Sequence, residues 1–173
     1  MDTSNSVNVP VASALRRLSD RVNALCEVAL FVTLVLMTGV TLLQIVFRLW
    51  FKALTWSEEL TCFLLVAASF LGTAVAFKRG AHIAVTFVLN AMPTPLKKVT
   101  LLLIDGVGII FFAVLTVYGV EFCQQEASQM ATALSVSMSW IYLIFPVTGV
   151  IVLLHLLAHG EMILKGENGW ERC

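Results

Sequence analysis

The chain has 173 residues, of which 59% are hydrophobic and 13% are charged, with a mean hydropathy of +0.92. Because soluble proteins carry about 25% charged residues, this composition excludes an ordinary soluble domain and indicates an integral membrane protein. The formal charge is zero, from eleven basic and eleven acidic residues, so net charge gives no argument for a nucleic-acid or acidic partner.

Long apolar runs, rather than alternating ten-residue segments, predict helical spans instead of an outer-membrane barrel. A hydrocarbon core of about 30 Å needs about 20 helical residues to cross it. We therefore predict an all-α integral membrane protein, with one membrane domain over residues 1–173 and four transmembrane helices. The predicted spans cover about 25–50, 56–77, 96–122 and 136–159.

The N-terminal segment 11–24 is predicted to be an amphipathic arm on the membrane surface. Its apolar residues recur at spacings of three and four, while Arg16, Arg17, Asp20 and Arg21 take the other side. Arg16 and Arg17 are thus candidate anchors at the cytoplasmic interface. The alternative is that the arm simply extends the first span. No removable signal peptide is expected, since no small-residue cleavage site follows a short apolar region.

Charged residues gather in FRLWFKALTWSEEL, between the first two spans. Thr55 and Glu58 have the spacing of a capping box, which would account for part of this pattern as a helix start. A second consecutive carboxylate near a basic residue exceeds what a helix start requires. Two interpretations stay open, a structural staple and a contact with a partner protein. The candidate contact residues are Arg48, Trp56, Glu58 and Glu59.

The second connection, residues 78–95, is predicted to be an interfacial helix, because polar residues recur every four positions opposite apolar ones. Pro93 and Pro95 would end it before the third span. Lys78, Arg79 and His82 are candidate anchors at the cytoplasmic interface. As for the arm, the alternative is a direct extension of a neighbouring span.

The placement of basic residues predicts the orientation of the chain. Nine of the eleven Lys and Arg residues fall in the arm, the second connection and the C-terminal tail. Since Lys and Arg favour cytoplasmic loops, both termini are predicted to be cytoplasmic, and the first and third connections lie on the outer side.

Asp105 lies about 10 Å inside the third span. A carboxylate at that depth is costly unless it meets protein, water or a cation. We expect it to face a partner helix, with ion binding or a side chain that reaches the interface as alternatives. His155 and His159 lie one helical turn apart, but without a third ligand nearby we predict no metal site. No nucleophile with its base and no phosphate loop is visible, so no enzyme activity or cofactor is predicted.

Several motifs in fixed order resemble the small membrane (Q-type, DctQ-like) subunit of tripartite ATP-independent periplasmic (TRAP) transporters. They are WSEEL, then FLGTAVAFKRGAHIAVTFV, Pro93, Gln129 and the Tyr142 and Pro146 of SWIYLIFPVTG. The resemblance covers roughly residues 20–155. It departs at Thr86, where many members carry an acidic residue, so a role for that carboxylate is in doubt here.

The resemblance implies a heterodimer with a large membrane subunit in the bacterial inner membrane, served by a periplasmic substrate-binding protein. In such assemblies the large subunit moves an organic anion of the carboxylate or sialic acid class by a sodium-driven, elevator-like motion. The small subunit would be a scaffold that also helps to dock the binding protein. Under this hypothesis Asp105 faces the large subunit. The periplasmic end, with Arg48, Trp56, Glu58 and Glu59, faces the binding protein.

Two other hypotheses are open from the residues alone. A small homodimeric proton-coupled exporter would need an ionisable carboxylate deep in a span, and Asp105 is the candidate. A haem-binding redox subunit would use His155 and His159. The substrate is not readable from these residues, since the selecting pocket would lie in other chains.

Overall fold

The computed structural model describes residues 12–50, 52, 54–79 and 94–164, and those residues are mostly helical. An isolated antiparallel bridge joins Met130 to Ser137. In chain order the helices are α1 (Ala12–Trp50), α2 (Thr55–Lys78), α3 (Thr94–Gln125), a 3₁₀ turn (Glu126–Ser128), α4 (Met138–Tyr142) and α5 (Ile144–Leu164).

Four stretches of the described chain are long and apolar enough to cross a membrane, which confirms the predicted number of helical spans. They run from Leu15 to Trp50, Thr55 to Lys78, Val99 to Ser128, and Met138 to Glu161. We call the end where α1 and α3 finish the hairpin end. The opposite end, where α1 and α3 begin, is the termini end.

The N-terminal arm is not a separate helix. Residues 12–24 and the first span form one continuous helix of 39 residues, about 58 Å long at 1.5 Å per residue. This matches the alternative in which the arm extends its span, because the described helix has no break at which the arm could turn onto the membrane surface. His82 and residues 80–93 of the predicted interfacial helix lie outside the described residues.

Helices α3 and α5 approach each other closely at two glycines, Gly149 and Gly119. A Cβ added at Gly149 would collide with Thr116 Oγ1 and come within 3.3 Å of the Phe112 carbonyl oxygen. A Cβ added at Gly119 would lie 3.2 Å from the backbone nitrogen of Pro146. Small residues let two backbones approach in a membrane, where dispersion rather than water exclusion drives helix association.

The core of the bundle lies between α2, α3 and α5. Ala74, Phe112, Val152 and Leu156 form a buried cluster, and the Phe77 and Phe112 rings meet edge to face with centroids 5.1 Å apart. Helix α5 contributes Thr148, Val152, His155, Leu156 and Ala158 to the buried residues, whereas residues 27–50 of α1 include no buried residue. Helix α5 is therefore central and α1 peripheral.

The last span is interrupted between α4 and α5, at Leu143. Pro146 explains the interruption, because it has no N–H to donate to the carbonyl of Tyr142 four residues earlier. The break leaves α4 as a short helix that follows the connection from α3 at the hairpin end.

Candidate functional site

A polar layer at the termini end ties α1 to α2 and α5. Lys78 Nζ lies 2.7 Å from Asp20 Oδ1 and donates a second hydrogen bond of 2.7 Å to Ser19 Oγ. Ser19 Oγ lies 2.8 Å from His155 Nδ1. Because the ammonium can only donate, the Ser19 oxygen accepts from Lys78 and its hydroxyl proton is available to His155. Ser19 and His155 are both buried.

A second ion pair, between Arg79 and Glu27, lies about two helical turns along α1 from Asp20. Arg79 Nη2 lies 2.8 Å from Glu27 Oε1, and the Asn23 amide donates to the same oxygen over 2.7 Å. Ser19, Asn23 and Glu27 recur every four residues and so share one face of α1. The Arg79 side chain is 63% exposed, against 21% for Lys78. The Lys78 pair is therefore the better shielded of the two.

Asp105 does not depend on a partner chain for its polar contact. Its side chain is buried, and His159 Nδ1 lies 2.9 Å from its Oδ2, so the ring N–H donates to the carboxylate. This contact lies within the chain, so the expectation that Asp105 faces a partner helix is not tested by it and stays a prediction. His155 contacts α1 and His159 contacts α3, so the two histidines engage different neighbours.

The predicted anchors of the cytoplasmic interface thus have two kinds of environment. Arg16 and Arg17 are exposed on the N-terminal part of α1, as an anchor requires. Lys78 and Arg79 instead hold α2 against α1 through their ion pairs. Their role in anchoring the chain to the membrane stays a prediction.

At the hairpin end, the Glu59 carboxylate binds the connection between α3 and α4. It accepts backbone N–H bonds from Thr132, Ala133 and Leu134, at 3.0, 2.8 and 3.0 Å, and a 3.3 Å bond from the Thr132 hydroxyl. Successive backbone N–H groups that converge in this way form an anion-binding nest. Here the anion is a carboxylate of the same chain, 73 to 75 residues away.

The connection itself is a small hairpin, residues 129–138. Ala131 N donates to Val136 O over 2.8 Å, Met138 N donates to Gln129 O over 3.0 Å, and Met130 pairs with Ser137. Ser135 has φ of 52°, the left-handed conformation that lets the turn close. The hairpin is therefore held by its own backbone hydrogen bonds and by the bonds from its tip to Glu59.

The predicted capping box at the start of α2 is wrong. Thr55 is already the first helical residue, and the N-cap position falls on Leu54, which makes no side-chain cap bond. Instead, the Ser57 hydroxyl donates to Leu54 O over 2.8 Å. A staple does exist here, but Glu59 makes it to a distant hairpin and not to its own helix.

The other candidate contact residues lie near this staple in the chain and are available at the surface. Arg48 is exposed in the last turn of α1, Glu58 is exposed in the first turn of α2, and Trp56 is half-buried. The structure therefore separates Glu58, which faces outward, from Glu59, which is engaged within the chain.

Ser19 and the tip of the hairpin are not among the residues predicted from the sequence. A serine on the polar side of an amphipathic helix carries no signal of its own. The spacing of Ser19, Asn23 and Glu27 at four-residue intervals was the available signal for a polar face that packs against protein. The backbone donors at 132–134 have no side-chain signature at all.

Comparison with protein families matches residues 37–160 to tripartite ATP-independent periplasmic transporters, DctQ component. The chain is 28% identical over 102 residues to the sialic acid TRAP transporter small permease protein SiaQ of Vibrio cholerae. It is 25% identical over 120 residues to the sialic acid TRAP transporter permease protein SiaT of Haemophilus influenzae. It is 27% identical over 95 residues to the C4-dicarboxylate TRAP transporter small permease protein DctQ of Rhodobacter capsulatus.

These alignments cover 59%, 69% and 54% of this chain, in the same order. They cover 59%, 20% and 42% of the three relatives, so the chain spans less than two thirds of the length of each. The family match, over residues 37–160, includes the Glu59 staple and the whole of α3, α4 and the hairpin.

Proposed function

This chain belongs to the DctQ component family of tripartite ATP-independent periplasmic transporters, and we propose that it is the stationary small membrane subunit of such a transporter. Its curated relatives are transporter permease proteins and not enzymes. In this role it holds a large membrane subunit in the bacterial inner membrane while that subunit carries an organic anion, of the carboxylate or sialic acid class, driven by sodium. Membership of this family favours the role of a transporter subunit over the exporter and haem-binding hypotheses.

The observation that carries the proposal is the absence of charge from the middle of the spans. A carrier needs ionisable or polar groups along its route. The middle segments of all four spans contain no Asp, Glu, Lys, Arg or His. These segments are 28–47, 60–77, 106–120 and 144–154. Such a bundle is suited to be a frame, and these segments offer no Lys, Arg or His side chain to bind an anion.

The length of one relative supports a large membrane subunit as the partner. The 120 matched residues make up only 20% of the Haemophilus influenzae permease. A segment similar to this chain therefore occurs there within a much longer permease. We propose that this chain meets its large subunit as a separate polypeptide in the same membrane.

Orientation and docking follow from the charge distribution. With both termini in the cytoplasm, the hairpin end faces the periplasm and offers its surface to a soluble binding protein. Arg48, Trp56 and Glu58 are the proposed contacts there. Arg16 and Arg17 at the termini end would contact the headgroups of the inner leaflet, each worth about 1 kcal/mol near an anionic surface.

Reconstitution tests the proposal. Proteoliposomes that contain the purified chain alone are expected to take up no labelled sialic acid or succinate under an inward sodium gradient. Addition of a large TRAP membrane subunit and a periplasmic binding protein of the same transporter is expected to give uptake of one substrate class. Liposomes with the large subunit and binding protein but without this chain are the control, and uptake by the chain alone would refute the proposal.

Asp105→Asn separates a structural role from a carrier role. An amide oxygen can accept the same hydrogen bond from His159 Nδ1, so the free energy of unfolding is expected to change by less than about 1 kcal/mol. Uptake by the reconstituted complex should stay within about twofold of wild type, a change of about 0.4 kcal/mol. Loss of uptake with unchanged stability, measured by thermal unfolding in detergent, would show that Asp105 takes part in ion coupling.

A further inference from the structure

We propose that Glu59 is a positioning residue: it presets the 129–138 hairpin, whose exposed apolar side chains Met130 and Val136 are part of the surface that receives the soluble binding protein. This inference rests on the proposed function and deepens it. It replaces a direct carboxylate contact by one in which Glu59 acts through the hairpin.

The first argument is the geometry of Glu59. Both of its oxygens are engaged, Oε1 by Thr132 and Oε2 by Ala133 and Leu134. Charge-assisted bonds of this kind are about twice as strong as neutral ones. A carboxylate with four donors has little capacity left for a partner, but it removes the freedom of the segment that it holds. An ordered loop binds at lower entropic cost than a mobile one.

The second argument is what the hairpin presents. Ala131 is buried at 2% exposure, which fixes the inner side of the hairpin against the bundle. Met130 is 70% exposed, and Val136 is also exposed. Apolar side chains held rigidly at a surface, in well-packed surroundings, are suited to the centre of a protein interface.

The charge around the hairpin indicates which partner fits. Glu58 and Glu121 are exposed and Glu126 is half-buried, and residues 99–164 contain no Lys or Arg. The exposed basic residues of this end, Arg48 and Lys52, belong to the last turn of α1 and the connection after it. The exposed charge that α3 and its connection contribute is therefore acidic. It complements a soluble protein surface that has an apolar centre and a basic rim.

Glu59→Gln is compared with Glu161→Gln, which also removes one negative charge but lies near the end of α5, at the termini end. In the reconstituted complex, Glu59→Gln is expected to raise the amide exchange rate of residues 132–134 by about tenfold or more. It should also raise about tenfold the binding-protein concentration that gives half-maximal uptake, with the maximal rate at saturating binding protein unchanged. Glu161→Gln is expected to leave the exchange rate of residues 132–134 unchanged and to shift half-maximal uptake by less than about threefold.

Met130→Ser keeps the test valid if Glu59→Gln fails to fold, because an exposed side chain can be shortened without loss of packing. It should weaken binding-protein capture by the immobilised complex about fivefold or more and leave exchange at 132–134 unchanged. Direct capture also separates this inference from the proposed function, since it needs no transport. Faster exchange without weaker capture, equal effects of the two glutamine variants, or loss of the large subunit in place of the binding protein would each overturn the proposal.

Discussion

Replacing Gly149 by leucine is expected to lower the free energy of unfolding by about 3 kcal/mol, the upper part of the usual range for overpacking. The first added carbon already collides with Thr116 Oγ1 and approaches the Phe112 carbonyl oxygen. Relief would require α3 and α5 to move apart, and this pair adjoins the buried cluster around Phe112 and Val152. Thermal unfolding in detergent, followed by tryptophan fluorescence, measures the loss.

Gly106→Leu is the matched control for that substitution. Gly106 also lies in a span, on α3, but an added Cβ would meet nothing within 4 Å. Its replacement should change stability by less than about 1 kcal/mol, with the better helix propensity of leucine in its favour. Equal losses in the two variants would mean that the close approach of α3 and α5 does not hold the bundle together.

Lys78→Glu is expected to have the second largest effect, a loss of about 2 kcal/mol. Removal of one partner from a buried pair costs about 3 to 5 kcal/mol, and the estimate here is lower because the Asp20 side chain is 56% exposed and partly screened. The variant places a carboxylate against Asp20 and takes a donor from Ser19, which also contacts the buried His155. Unfolding midpoints in detergent measure the change.

Two further variants make the Lys78 experiment specific. Arg79→Glu breaks the exposed pair with Glu27 and should cost less than about 1 kcal/mol. Adding Asp20→Lys to Lys78→Glu restores opposite charges and should recover part of the loss. If the Arg79 and Lys78 variants were equally destabilised, the shielding of the Lys78 pair would have no energetic consequence.

The four spans were predictable because their signal is local. An apolar run of about 20 residues already specifies a helix that crosses the membrane, and the structure contains all four such helices. The continuity of α1 was not predictable in the same way. A period of 3.6 residues is the same for an arm that lies on the membrane and for one that extends a span, so the pattern left both interpretations open.

Individual site residues could be predicted from the sequence, but the contacts between them could not. Glu59 was singled out from its position, but its partners are backbone groups more than 70 residues away, which leave no pattern in the sequence. Asp105 and His159 were each noted, while their contact depends on how α3 and α5 pack. Thr55 and Glu58 had the right spacing for a capping box, but the helix begins at Thr55 itself, so the threonine stands one residue too late.

The middle segments of the spans have an electrical consequence. Since residues 28–47, 60–77, 106–120 and 144–154 contain no acidic, basic or histidine side chain, a membrane voltage finds no formal side-chain charge there on which to exert a force. Under the proposed function, this layer would act as an insulator beside the large subunit, and the work done by the field would fall on the substrate, the coupling ions and the protein that carries them.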